Sequence, residues 1–144
     1  MIEAIGETGA GNSSRSAEKL APTVLVVDDE ALVRWSVAET LGDCGYRVTQ
    51  ACDAASAIEE ISGAAGPPDL VLLDLCLPDS NDLRALSVIH RLFPEMPIVL
   101  MTVHGNSNLF ADARRRGAVG VLNKPFEVND LAPLVERALA AGPA

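Results

Sequence analysis

The stretch DLVLLDLCLPD, residues 69–79, decides how the rest of the chain reads. Leu70-Val71-Leu72-Leu73 is a continuous apolar run of the kind that forms a strand buried on both faces. The run ends on a carboxylate, Asp74, with a proline and a second acid close behind it. Desolvating a carboxylate at a strand end is costly unless something there favours a negative charge. The question is what that something is.

Working outward, the same kind of segment recurs. TVLVV from Thr23 is a short β-branched run, followed by DDE and a helical stretch from Ala31 to Cys44 with Val33, Val37 and Leu41 on one face. Gly45 ends that helix, and YRVTQA reads as the next strand. Asp53 is an N-cap for a helix from Ala54 to Ser62, with Ile58 and Ile61 inward. GAAGPP is a loop before the quoted strand, and residues 82–92 (DLRALSVIHRL) are helical. Pro94 and Pro97 bracket a turn, and PIVLMT is a fourth strand. Asn108 to Arg116 is a helix closed by Gly117. AVGVLN is a fifth strand, and a last helix runs from about Asn129 to Ala141, with Pro133 in or near its first turn. Residues 1–21, rich in Gly, Ser, Ala and Glu, read as a flexible tail, and 142–144 as a C-terminal end or the start of a linker. Five strands alternating with five helices over 22–141 predict a parallel sheet covered on both faces, an α/β three-layer sandwich with right-handed crossovers.

Composition narrows the function. The chain has 144 residues, suited to one domain, and aromatics are only 3%, so the core must be aliphatic. A formal net charge of −9 argues against binding nucleic acid or an anionic membrane. No apolar run approaches a membrane span, and the N-terminus lacks the basic start and apolar core of a signal peptide. Cys44, Cys52 and Cys76 have neither C-x-x-C spacing nor an even count, and read as reduced thiols in a cytoplasmic protein. His90 and His104 lack metal-ligand spacing.

In α/β sheets of this kind the ligand site lies beyond the carboxyl ends of the strands. The first strand ends in Asp28-Asp29, the third in Asp74, the fourth in Thr102 and the fifth in Lys124. Each is weak evidence alone; together they are a constellation. Two carboxylates about 4 Å apart repel by roughly 4 kcal/mol at an effective dielectric near 20. Three need cations, of which Lys124 supplies one and a hard divalent ion such as Mg²⁺ would supply the rest. A carboxylate nucleophile, a metal, a lysine and a hydroxyl are the parts needed to accept a phosphoryl group.

VLVVDDE, LLDLCLP, VLMTVHG and NKPF, in this order and spacing, resemble the receiver domain of bacterial two-component response regulators over about residues 23–141. The resemblance implies a flavodoxin-like sheet of order 2-1-3-4-5, with Asp74 taking a phosphoryl group from a histidine of a sensor kinase or phosphotransfer protein. It implies Mg²⁺ held by Asp28, Asp29, Asp74 and the backbone carbonyl of Cys76, with Asp29 the more direct ligand of the acidic pair. It implies Thr102 as the hydroxyl that follows the phosphoryl group, Lys124 as its cationic partner, and a cis Lys124-Pro125 bond. Such a chain is a switch with slow self-dephosphorylation and not an enzyme with a diffusing substrate. Its downstream partner, or a second copy, would dock on the face of the fourth helix, fifth strand and fifth helix.

Some features depart from that pattern or stand outside it. Val121 occupies the position where the family often carries an aromatic switch residue, and a valine is too short to report phosphorylation by swinging in and out. Asp82 stands where Gly is common in the turn after Pro78, a place Asp tolerates. Arg114-Arg115-Arg116 complement a helix C-terminus, with docking of an acidic partner as the other reading. Trp35 falls opposite the inward face of its helix. It suits a hot spot for a kinase, or else packs on a neighbouring helix or the tail. Two rival functions are a receiver-like module that signals without phosphate, favoured by Val121, and a Mg²⁺-dependent aspartyl phosphatase. The phosphatase of the haloacid-dehalogenase type wants an acid where Cys76 stands.

Overall fold

The computed structural model of the chain describes residues 21–141. The tail expected over 1–21, Ala21 apart, and the end at 142–144 lie outside the described residues. Strands β1 (Thr23–Val27), β2 (Arg47–Ala51), β3 (Leu70–Asp74), β4 (Ile98–Thr102) and β5 (Ala118–Asn123) form one sheet in the order β2-β1-β3-β4-β5. Every neighbouring pair is parallel. Among the described residues five helices accompany them: α1 (Ala31–Asp43), α2 (Ala54–Ile61), α3 (Arg84–Leu92), α4 (Ser107–Arg115) and α5 (Val128–Ala141). The expected three-layer sandwich is the observed fold.

Strand alternation sorts the core into two halves. Val24, Val26, Leu70 and Leu72 face α1 and α5, against Val37, Leu41, Leu131 and Val135. Leu25, Val27, Val71 and Leu73 face α2, α3 and α4, against Ile61, Leu86, Ile89 and Ala113. The inner strands β3 and β4 are buried along their whole length, whereas the edge strands β2 and β5 are partly exposed. Each buried Leu or Ile side chain contributes about 1.5–3 kcal/mol, and they sit on strands whose ends carry the polar residues.

Helix ends follow local chemistry. Asp53 caps α2 by accepting the Ser56 N–H at 2.8 Å, while the Ser56 hydroxyl accepts the Asp53 N–H at 3.3 Å. Asn106 accepts the Leu109 N–H at 2.9 Å and starts α4 one residue before the expected Asn108. α3 starts at Arg84 and not at Asp82, because the Asp82 carboxylate takes the Arg84 N–H at 2.9 Å in a local turn that competes with helix. Asp82 itself has no left-handed backbone, so an Asp is tolerated there. Gly45 (φ +96°) and Gly117 (φ +113°) close α1 and α4 in the left-handed region. Pro133 lies inside α5, where its missing N–H removes the donor that the Asn129 carbonyl would otherwise have.

Candidate functional site

The chain winds from β1 to β2 on one side and then crosses to β3 on the other, so the crevice of this fold opens between β1 and β3. Val27 lies beside Leu73 in the sheet, and the next residues, Asp28 and Asp74, emerge together at its carboxyl edge. Asp74 pairs in register with Met101, and Thr102 pairs with Asn123, so Thr102 and Lys124 follow on the next two strands. The Lys124 N–H donates to the Thr102 carbonyl at 2.8 Å, which ties β5 to β4 at the site.

These polar groups are taken out of water. Asp28 is 0% exposed, Thr102 3% and Asp74 6%, whereas Asp29 is exposed. The Lys124 ammonium donates to Asp28 Oδ2 at 2.7 Å and stands 3.4 Å from Asp74 Oδ1 and 3.9 Å from Glu30 Oε1. The other oxygen of Asp28 accepts the Glu30 N–H at 2.9 Å. Asp28 and Asp29 therefore do not serve as helix caps. The N-cap of α1 is Glu30, which makes no side-chain cap bond.

The electrostatics are those of a crowded acid site. Burial, then the charge of Asp28, pushes the Asp74 carboxyl above the usual aspartate value, against the opposing pull of Lys124 and the Cys76 N–H. Burial drags the Lys124 ammonium down, yet its hydrogen bond to Asp28 and the charges of Asp28 and Asp74 outweigh it, so the net shift is upward. One oxygen each from Asp28, Asp29 and Asp74 lies within 4.8 Å of the others. That is a donor set of hard oxygens with no thiolate or imidazole, which fits Mg²⁺. Each Asp28 oxygen already accepts one hydrogen bond, whereas Asp29 is exposed, so Asp29 is the freer of the acidic pair to meet an ion directly.

The remaining candidates lie around this cluster. Cys76 is exposed, two residues past Asp74. Val121 lies in β5 beside Leu100, partly buried against the α2–α4 side of the core. Lys124-Pro125 is cis. Trp35 is 60% exposed on α1, one turn from Leu32 at 80%. His90 is no ligand of the cluster; its ring lies over Gly117, at the end of α4. Three participants escaped sequence reading. Arg34 donates to the Asp28 backbone carbonyl at 2.7 Å and to Gln50 at 3.2 Å, bracing the acidic loop against β2. Glu30 adds a further carboxylate near Lys124. Asp79, after Pro78, binds backbone N–H groups of α2 far away in sequence. None carries a spacing signal: the Gln50, Lys124 and α2 contacts depend on how the strands are ordered, and the bond from Arg34 to Asp28 goes to a backbone carbonyl that no residue pattern marks.

Comparison with known proteins bears on this arrangement. A family model described as the response regulator receiver domain matches residues 24–136. The nitrogen assimilation regulatory protein NtrX of Azorhizobium caulinodans is 40% identical over 122 residues, covering 83% of this chain and 26% of that protein. The DNA-binding transcriptional regulator NtrC of Escherichia coli K12 is 32% identical over 117 residues, covering 81% of this chain and 24% of that protein. The chain thus spans about a quarter of the length of these curated relatives. The crystal structure of the receiver domain of NtrX from Brucella abortus is 41% identical with a TM-score of 0.74, over 81% of this chain and 98% of that one.

Proposed function

Because the chain belongs to the response regulator receiver family, a family of signalling switches and not of classical enzymes, we propose that it accepts a phosphoryl group on Asp74 from a histidine of a sensor kinase or phosphotransfer protein. The observation that carries this reading is the buried Asp74 carboxylate, held within 3.4 Å of the Lys124 ammonium at the crevice between β1 and β3. An Asp74 oxygen attacks phosphorus in line, the bond from phosphorus to the donor imidazole breaks, and an acyl phosphate remains on Asp74. The Lys124 ammonium and the Thr102 hydroxyl then take the charge of the phosphoryl oxygens. Thr102 now accepts the His104 N–H at 3.2 Å, so turning its oxygen toward the phosphoryl group would release the loop that leads into α4. Asp29, Asp74 and the Cys76 carbonyl would hold Mg²⁺, with Asp28 behind them, and the ion would supply positive charge to the incoming phosphoryl oxygens. Water attack on the acyl phosphate would reset the switch slowly.

For the partner, the supporting feature is α1. It is apolar on both faces, with Val37 and Leu41 buried while Leu32 and Trp35 stay in solvent. An exposed tryptophan on the helix that follows the acidic loop suits a docking hot spot for the kinase. Output, to another protein or to a second copy, would use α4, β5 and α5. The reading puts the protein in the cytoplasm, in keeping with three exposed cysteines that are unpaired and with a described chain in which no helix is long and apolar enough to cross a membrane.

Incubation with a small-molecule acyl phosphate and Mg²⁺, then trapping with hydroxylamine, tests the chemistry. A hydroxamate on the peptide containing Asp74 supports it. An unmodified peptide from folded protein favours the second reading, a module that signals without phosphate, to which Val121 lends its weight.

A further inference from the structure

The loop that leaves Asp74 is fastened at its far end to a different helix. Asp79 Oδ1 accepts the Ala54 N–H at 2.9 Å, and Asp79 Oδ2 accepts the Ala55 N–H at 3.0 Å. One carboxylate thus takes two of the N–H groups that the first turn of α2 leaves free. The charge sits at the positive end of the helix dipole. α2 does not need this for a cap, since Asp53 and Ser56 already form a complete capping box there. Closer to Asp74, Leu77 and Ser80 exchange backbone hydrogen bonds at 2.9 and 3.2 Å, and the Leu75 N–H donates to the Met101 carbonyl at 2.9 Å. Residues 75–80 are therefore held at both ends, by β4 on the Asp74 side and by α2 through Asp79.

We infer that Asp79 is a positioning residue for the reaction at Asp74. Its carboxylate latches the post-acceptor loop onto α2 and so sets the backbone at Leu75 and Cys76 that borders the acidic cluster. This rests on the phosphoacceptor reading above and extends it to a group that touches neither phosphoryl nor metal. A latch of this kind acts as an outer-shell support: it fixes the direction of the Cys76 carbonyl and N–H, the latter already acting on the Asp74 carboxyl.

The control is built into the helix. Asp53→Ala removes a cap from the same first turn of α2 without touching the loop, so it matches Asp79→Ala for helix stability alone. The experiment titrates Mg²⁺ into wild type, Asp79→Ala, Asp79→Asn and Asp53→Ala, following the backbone amide shifts of residues 75–77, and then measures the phosphorylation rate with a small acyl phosphate. Both alanine variants are expected to melt earlier than wild type. Asp79→Ala alone should need about tenfold more Mg²⁺ for half-saturation, the usual penalty for losing an outer-shell support. Its phosphorylation rate at subsaturating Mg²⁺ should fall by a similar factor and recover at saturation. Asp79→Asn, which keeps one acceptor oxygen, should fall between. If Asp79→Ala and Asp53→Ala shift the Mg²⁺ midpoint equally, or neither does, the latch is only a helix cap and the inference is wrong. A wild type that neither responds to Mg²⁺ nor takes a phosphoryl group overturns the phosphoacceptor reading and the latch together.

Discussion

Ionised Asp74 sits beside the buried Asp28 with one shared ammonium between them, so neutralising it relieves repulsion. Its folded-state pKa is raised, which means the fold favours the protonated form. The stability this contributes is complete below the ordinary aspartate value and is lost as pH rises through the raised folded value; at neutral pH the ionised group is a net cost. Asp74→Asn should therefore raise the melting temperature by about 4 °C at pH 7 in chelator, the response of a domain this size to roughly 1 kcal/mol. The gap should narrow as the pH is lowered toward the ordinary aspartate value, which melting curves across that range would show. Lys124→Ala should do the reverse. It strands a fully buried Asp28 carboxylate with the Glu30 N–H as its remaining hydrogen-bond donor among the described residues, at a cost of about 3 kcal/mol in denaturant unfolding. Because Lys124 is shifted upward, its stabilisation is fully present below the ordinary lysine value and is lost only as pH climbs through the raised one. What sequence order showed at this scale was the set of strand-end residues. The sharing of one lysine by Asp28 and Asp74, and the brace from Arg34 to Gln50, could not be read without coordinates, because only the folded sheet brings those residues together.

Among elements, α1 and α4 carry the most specific expectations. On α1, Trp35→Ala removes an exposed ring without opening a cavity, so the fold should keep its stability within about 0.5 kcal/mol. Transfer from the cognate kinase should slow while phosphorylation by a small donor stays intact; equal slowing of both would remove Trp35 from the docking surface. At the end of α4, Gly117→Ala meets two obstacles at once. The backbone is left-handed there, and an added Cβ would overlap the His90 ring. A loss of about 1–3 kcal/mol in a chemical melt is expected, with no change at Asp74. The elements themselves were legible from apolar period and cap chemistry: Asp53 before α2, Gly45 after α1 and Gly117 after α4 all act where they were expected. Misplaced boundaries have local causes. Asn106 outcompetes Asn108 as the start of α4 because its side chain reaches the Leu109 N–H, and Asp82 holds the Arg84 N–H in a turn.

At the scale of the whole molecule, strand–helix alternation and continuously apolar strands were enough to predict the layers, and the resemblance of four motifs implied the strand order that the sheet shows. Those motifs stand at the ends of four different strands; the parallel sheet brings them to one edge, and the order makes β1, β3, β4 and β5 consecutive neighbours there. Left unread were the ties between elements that are distant in sequence, Asp79 to α2 above all, because a single aspartate after a proline reads only as a turn residue. The chain spans about a quarter of the length of the NtrX and NtrC proteins it matches. The switch itself is within reach of one measurement. Intact mass is recorded after incubation with Mg²⁺ and a small-molecule acyl phosphate, with Asp74→Asn and a chelator-treated sample alongside. A gain of one phosphoryl mass is expected in wild type with Mg²⁺ and in neither control. No gain in folded wild type, or an equal gain in Asp74→Asn, would contradict it.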